Sequence, residues 1–259
     1  MGPKIGLALG SGGSRGFAHI GVLKALKNAG IKVDYIAGSS MGALVGVLYA
    51  AGYTPDILEK MALQFRRKFF LDFTVPKMGF IKGDKIRQVI GTLVNNRTLE
   101  QLDPKTAVVA TDLMKGERAV FTRGDISIAV RASIAIPGIV IPQEINRRIY
   151  VDGGVADRVP VSVVKEMGAD IIIAVDVSYF DTEPQITSIY DVIMQSMDIM
   201  EKEMIRYREI ESDVMIRPIL SHIKSTQFTN VKDIIQNGET ETLKFTEIIC
   251  RKIEEWKES

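Results

Sequence analysis

The chain has 259 residues, 46% hydrophobic and 25% charged, ordinary values that allow one large α/β domain, or one domain with a modest appendage. A net charge of +1 supplies no global field favouring nucleic acid or an anionic membrane. One cysteine, Cys250, and two histidines permit neither an internal disulfide nor a Cys/His zinc site. A reducing compartment fits this usage. The N-terminal stretch MGPKIGLALGSGG lacks the charged region, apolar run and cleavage site of a secretory signal. The longest apolar runs, such as 43–51, are about half of the ~20 residues that span a bilayer. The expected location is cytoplasmic, with any membrane contact peripheral.

In chain order, Ile5–Leu9 is a short apolar run ending in glycines, the pattern of a buried strand. Residues 15–28 carry apolar side chains at Phe17, Ile20, Leu23 and Leu26, a helical spacing closed by Gly30. Residues 33–37 read as a second strand, and 41–51 as a helix stopped by Gly52. Strand, loop, helix, strand, sharp turn, helix is the signature of a parallel α/β sheet. A helix follows Pro55 to about Arg67, and 69–83 reads as a loop. The aromatic and apolar residues of 65–80 fit a lid over a pocket or a membrane contact. The basic run Arg66, Arg67 and Lys68 reads as a solvated helix end.

Another helix is expected from Gly83 to Val94, strands at 107–112 and 119–122, and a helix at 126–133 ended by Pro137 and Gly138. A short strand at 148–151 leads into Asp152. Residues 161–167 read as a helix and 171–177 as a strongly apolar, central strand. Residues 189–210 and 231–256 read as helices. The methionines 194, 197, 200 and 204 of the first form a stripe best read as core packing.

Three glycine-marked turns each follow an apolar run, and in a parallel sheet such turns gather at the C-terminal strand ends, where ligands bind. Gly38-Ser39-Ser40-Met41-Gly42 matches G-x-S-x-G, the nucleophile elbow, in which small flanking residues let the chain turn sharply from strand into helix. Ser40 would then present its hydroxyl at a helix N-terminus. The alternative for Ser40 is a plain helix cap. Gly10-Ser11-Gly12-Gly13-Ser14-Arg15-Gly16 can aim backbone N–H groups into one space, as an oxyanion or a phosphate requires. Gly12 and Gly13 are the expected donors. A dinucleotide loop would also place glycines here, but it needs an acidic residue at the end of strand two. Asp34 precedes that strand, and Ser40 ends it.

The third turn is Asp152-Gly153-Gly154. Asp-Gly is commonly only a turn. Beside the other two it offers a base for the serine hydroxyl, which is a poor nucleophile until its proton is taken. Histidine, the usual base, is scarce. His19 reads as a packed, hydrogen-bonded helix residue. His222, in RPILSHIKST, would complete a Ser-Asp-His order with Ser40 and Asp152, but it reads as a surface or structural residue in a loop.

In this order, the glycine-rich loop with its basic residue Arg15, the G-x-S-x-G turn and Asp152-Gly153-Gly154 resemble the patatin-like phospholipase family. GFAHIGVLKAL after the first turn and VPV (159–161) after the third strengthen the resemblance to bacterial members, which covers about residues 4–178. It implies an α/β/α sandwich with a mainly parallel sheet, a Ser40–Asp152 dyad, and an oxyanion hole from the Gly12 and Gly13 amides with help near Arg15. It implies no metal or cofactor, and hydrolysis of lipid acyl esters. Many members begin the loop with Asp-Gly-Gly-Gly, whereas here it is Gly10-Ser11-Gly12-Gly13. The expected organisation is a catalytic domain at 1–180 and a helical extension at 181–259 packed on it. A rival reading is a non-catalytic lipid- or phosphate-binding protein that keeps the glycine nest and uses Ser40 only as a cap.

Overall fold

A computed structural model describes residues 2–65, 72–75, 77–178, 186–207, 211–218 and 230–258. The strands are β1 (Ile5–Leu9), β2 (Tyr35–Ser39), β3 (Lys105–Asp112), β4 (Glu117–Phe121), β5 (Gln143–Ile145), β6 (Arg148–Asp152), β7 (Ile171–Val175) and β8 (Val214–Ile216). They form one sheet in the order β5-β6-β3-β2-β1-β7-β8, with β4 paired to β3. The pairings among β3, β2, β1, β7 and β8 are parallel, and β4, β5 and β6 add antiparallel pairs.

Helices cover both faces. The principal ones are α1 (Ala18–Asn28), α2 (Met41–Ala50), α3 (Pro55–Gln64), α4 (Asp84–Leu93), α5 (Ile126–Ser133), α6 (Val161–Glu166), α7 (Ile189–Tyr207), α8 (Val231–Leu243) and α9 (Thr246–Glu258). The alternation of side chains along each strand decides which helix goes where. Leu7, Leu9, Ile36, Val108, Ile173 and Val175 join one large core with α1, α2, α5 and α8. Ala8, Ala37, Ala107, Val109, Ile172 and Ala174 point the other way and pack on Val161, Val163 and Val164 of α6. Small residues on that second face let a short helix lie close to the sheet. The result is the three-layer sandwich anticipated from the sequence.

Among the departures from the sequence reading, three concern the strand positions and the C-terminal helices. The strand expected at 33–37 lies two residues later, because Asp34 bonds back to β1 through Ile5 N (3.0 Å) and Lys4 Nζ (3.1 Å) before pairing begins. Residues 231–256 form two helices, α8 and α9, separated at Lys244 and Phe245 without a glycine or proline to mark the break. β7 is interior but not central: β8 alone lies beyond it, and β2 stands in the middle of the strand order.

The positioning of the site follows from β3, which outruns its neighbour. β2 pairs with its first half, up to Ser39↔Val109. There β2 ends, and β6 takes over antiparallel, with Asp152↔Ala110 as the next pair. Consecutive positions of β3 therefore hold the end of β2 and the end of β6 side by side.

Candidate active site

β2 ends at Ser39 and α2 begins at Met41, so Ser40 alone makes the turn. Its backbone has φ 53° and ψ −120°, a strained region for a residue with a side chain, costing on the order of 1–3 kcal/mol and found where the surroundings impose it. The surroundings here are tight. A Cβ on Gly42 would lie 2.2 Å from Leu9 O, and one on Gly38 would lie 2.5 Å from Ala43 N. Ser133 fixes the strained peptide, accepting from Ser40 N (2.8 Å) and donating to Val109 O (2.6 Å).

The Ser40 side chain makes no capping bond to α2. Its hydroxyl donates to Asp152 Oδ2 at 2.5 Å, within the range of a charge-assisted O–H···O⁻ bond. Asp152 divides its oxygens between two tasks. Oδ1 accepts from Gly154 N (2.8 Å), which is the ordinary Asp-Gly turn, and Oδ2 faces Ser40. Its backbone is held by Ala135 O (2.9 Å) and Thr111 Oγ1 (2.8 Å). Asp152 is buried, and burial pushes its pKa up to about 6, against the lowering effects of the Ser40 and Gly154 hydrogen bonds and the Arg158 charge.

The glycine-rich loop closes the third side. Gly10 N donates to Val175 O and Ser11 N to Arg158 O, both at 3.0 Å. Gly12 and Gly13 border a cavity of about 20 Å³ together with Ser11, Ser40 and Asp152. Residues 13–17, including Ser14, Arg15 and Gly16, form one 3-10 turn before α1, so the helix starts later than expected. Gly16 packs on Met41, joining the first motif to the second, and a Cβ there would meet Met41 Cγ at 2.4 Å. Gly153 lies against Ser39 Oγ and Gly154 against Ser11 Oγ, joining the third motif to both. His19 is fully buried and its Nε2–H donates to Gly10 O (2.8 Å). Burial lowers its pKa to about 4, so it is a neutral brace for the loop. The dinucleotide reading fails on position, because Asp34 sits at the opposite, N-terminal ends of the strands.

Several site residues carried no sequence signal. Ser133 lies 93 positions from Ser40. Arg158, four residues past Gly154, is buried beside Asp176, with Nε to Oδ1 at 3.9 Å. The cover of the cavity comes from α7, through Met194, Met197 and Asp198. The methionine stripe therefore has two roles. Met194 packs with Ile81 and Ile139, as core packing requires, and it also borders the cavity with Met197, while Met200 is exposed. The described part of 65–80 does not line the cavity; Phe73, Val75 and Met78 are exposed. Residues 66–68 and His222 lie outside the described residues, so the basic run and the triad partner have no structural account. No helix among the described residues is long and apolar enough to cross a membrane.

Comparisons with known proteins point to one family. The family model described as patatin-like phospholipase matches residues 7–165, which include all three turns. An NTE family protein of Mycobacterium tuberculosis is 40% identical over 194 residues, covering 72% of this chain and 54% of that protein. The lysophospholipase NTE1 of Coccidioides immitis is 35% identical over 188 residues, covering 70% of this chain and 12% of that protein. The chain thus spans about half of the first relative and a small part of the second. In fold, VipD from Legionella pneumophila superposes with a TM-score of 0.66 over 95% of this chain and 67% of that one, at 14% identity. With its glycine loop, serine elbow and Asp-Gly-Gly turn assembled around one cavity, and the family model matched across more than half its length, the chain belongs to the patatin-like phospholipase family.

Proposed function

We propose that the protein is a serine acyl hydrolase that cleaves lipid acyl esters through a Ser40–Asp152 dyad. The observation that carries this is the 2.5 Å bond from Ser40 Oγ to Asp152 Oδ2. The hydroxyl of a residue strained into an elbow is given to a carboxylate and not to the helix it precedes. Such an arrangement supports neither a mere cap nor a mere turn.

In the proposed reaction, Ser40 Oγ attacks the ester carbonyl as its proton passes to Asp152 Oδ2. The Gly12 and Gly13 amides receive the charge that develops on the carbonyl oxygen. The C–O bond to the leaving alcohol breaks, and that alcohol takes the proton from Asp152. Water then attacks the acyl-serine, giving its proton to Asp152, and the fatty acid leaves as Ser40 recovers its hydrogen. Asp152 serves as both acceptor and donor, which suits a carboxyl whose pKa burial has moved up to about 6. The direct Ser–Asp contact favours the dyad over a triad through His222, and the similarity to the lysophospholipase NTE1 favours a lysophospholipid or related ester.

Purified protein is expected to release fatty acid from lysophosphatidylcholine and p-nitrophenol from its acyl esters, with turnover lost in Ser40→Ala. Inactivity of the folded wild-type protein on every acyl ester tried would remove the proposal. The active form needs ionised Asp152. kcat/KM should therefore be flat above about pH 6 and fall about tenfold per unit below it, where the folded protein keeps the Asp152 proton. A profile without that acid limb would mean that another group is the base.

A further inference from the structure

We infer that a groove at the N-terminal edge of the sheet, at the opposite end of the strands from Ser40, is a second ligand site, and that it takes a small carboxylic acid with a short apolar chain. The site rests on its own residues and not on the hydrolase reading.

The groove lies where the start of β1, the turn after α1 and the last turns of α9 meet. Its volume is about 440 Å³, inside the ~300–1,000 Å³ common for small-ligand sites, against about 20 Å³ at Ser40. The length of β1 separates the two, because Ile5 opens that strand here and Leu9 ends it at the glycine loop. The floor is apolar. Ile5 and Ile31 belong to the main core, and Cys250 and Ile253 of α9 pack against it while staying half-buried. An apolar chain laid on Cys250 and Ile253 would cover surface that the fold leaves partly open to water, a favourable transfer.

The rim is charged and unevenly matched. Three lysines, Lys4, Lys32 and Lys257, face two carboxylates, Asp34 and Glu254. Asp34 is already occupied: Oδ1 accepts from Lys4 Nζ at 3.1 Å and Oδ2 from Ile5 N at 3.0 Å. Lys32 of the turn, Lys257 of α9 and Glu254 have no ion-pair partner among the described residues. The groove therefore keeps an excess of one positive charge near neutral pH. Lys257 leans across toward β1, since a Cβ on Gly2 would lie 3.8 Å from its Cε. A carboxylate matches an excess of one charge. A phosphate monoester, at about −1.5 to −2, exceeds it. An alcohol leaves it unmatched, and a cation adds to it.

Cys250 lines the groove and is the single cysteine of the sequence, so its reaction with a thiol reagent reads this site. The test measures the rate at which dithiobis-nitrobenzoate labels Cys250 in the full chain, titrated with octanoate, octanol, octyltrimethylammonium and octyl phosphate. Octanoate should slow labelling about tenfold or more at saturation, and bind about fivefold or more tighter than the other three. The double variant Lys32→Gln/Lys257→Gln should weaken octanoate about fivefold or more, and Lys257→Gln alone should act in the same direction. Lys60→Gln/Lys115→Gln, exposed elsewhere on the surface, should leave the affinity unchanged. Melting curves establish that each variant is folded. Absence of protection by octanoate would overturn the site. Octanol, the ammonium or the phosphate acting as well as octanoate would overturn the carboxylate assignment. Unchanged affinity in both lysine variants, or an equal loss in the Lys60/Lys115 control, would overturn the role of the two lysines. Labelling is read without turnover, so protection in a protein inert on every ester would keep the site and remove the hydrolase. An active enzyme without protection would do the reverse.

Discussion

Asp152→Asn is expected to lower kcat/KM for ester hydrolysis by about 10³-fold or more, consistent with the ~10²–10⁴ contributed by a positioned base and the larger losses when members of a catalytic unit are removed. The substitution isolates the chemistry. Asparagine keeps the size of the side chain, and its carbonyl can take over the bond from Gly154 N that Oδ1 now accepts. What it cannot do is accept a proton from Ser40 through the atom now at 2.5 Å. Neutralising a buried carboxylate also removes its desolvation cost, so the melting temperature should stay level or rise. Steady-state kinetics and thermal melts on the same preparation check both halves. Activity within a few-fold of wild type would place the base elsewhere. His222→Ala, the corresponding test of the triad, is expected to keep wild-type turnover.

Gly42→Ala should destabilise the fold by about 3 kcal/mol or more, the range of severe core overpacking. The new methyl would meet Leu9 O at 2.2 Å and Gly10 O at 2.7 Å. Those are backbone atoms at the end of β1, which is pinned between β2 and β7, so they cannot step aside as a side chain could. If the chain folds at all, α2 must lift from β1 and carry Ser40 with it, away from Asp152. A lower melting temperature together with weaker esterase activity is the expected pair of results. An unchanged melt would mean that the elbow is looser than its geometry indicates.

The parts of the site that were legible in the sequence are those encoded locally. A strand, a small-residue turn and an apolar helix lie within a few positions of one another around Ser40, and the same holds for the loop before α1. Their rules are steric and short-range, so the residue pattern expresses them directly. The position of Asp152 opposite Ala110 depends on β3 outrunning β2 and on an antiparallel strand filling the gap. No periodicity within 148–152 announces that pairing. β5 and β8 are three residues each, too short for alternation to register. Ser133 and Asp198 reach the site only after helices have packed, α5 on the sheet and α7 across the strand ends. For Asp198 one trace was present, an acidic residue inside a methionine stripe, where a purely structural core helix would place another apolar side chain.

Whether Ser40 is an activated nucleophile is tested most directly by incubating the protein with a fluorophosphonate probe and mapping the adduct by mass spectrometry, with Ser40→Ala alongside. One adduct per chain is expected, on Ser40, absent from the variant. A folded wild-type protein that takes no adduct, or takes it elsewhere, would contradict it and leave the G-x-S-x-G turn as a structural feature of a lipid- or phosphate-binding protein.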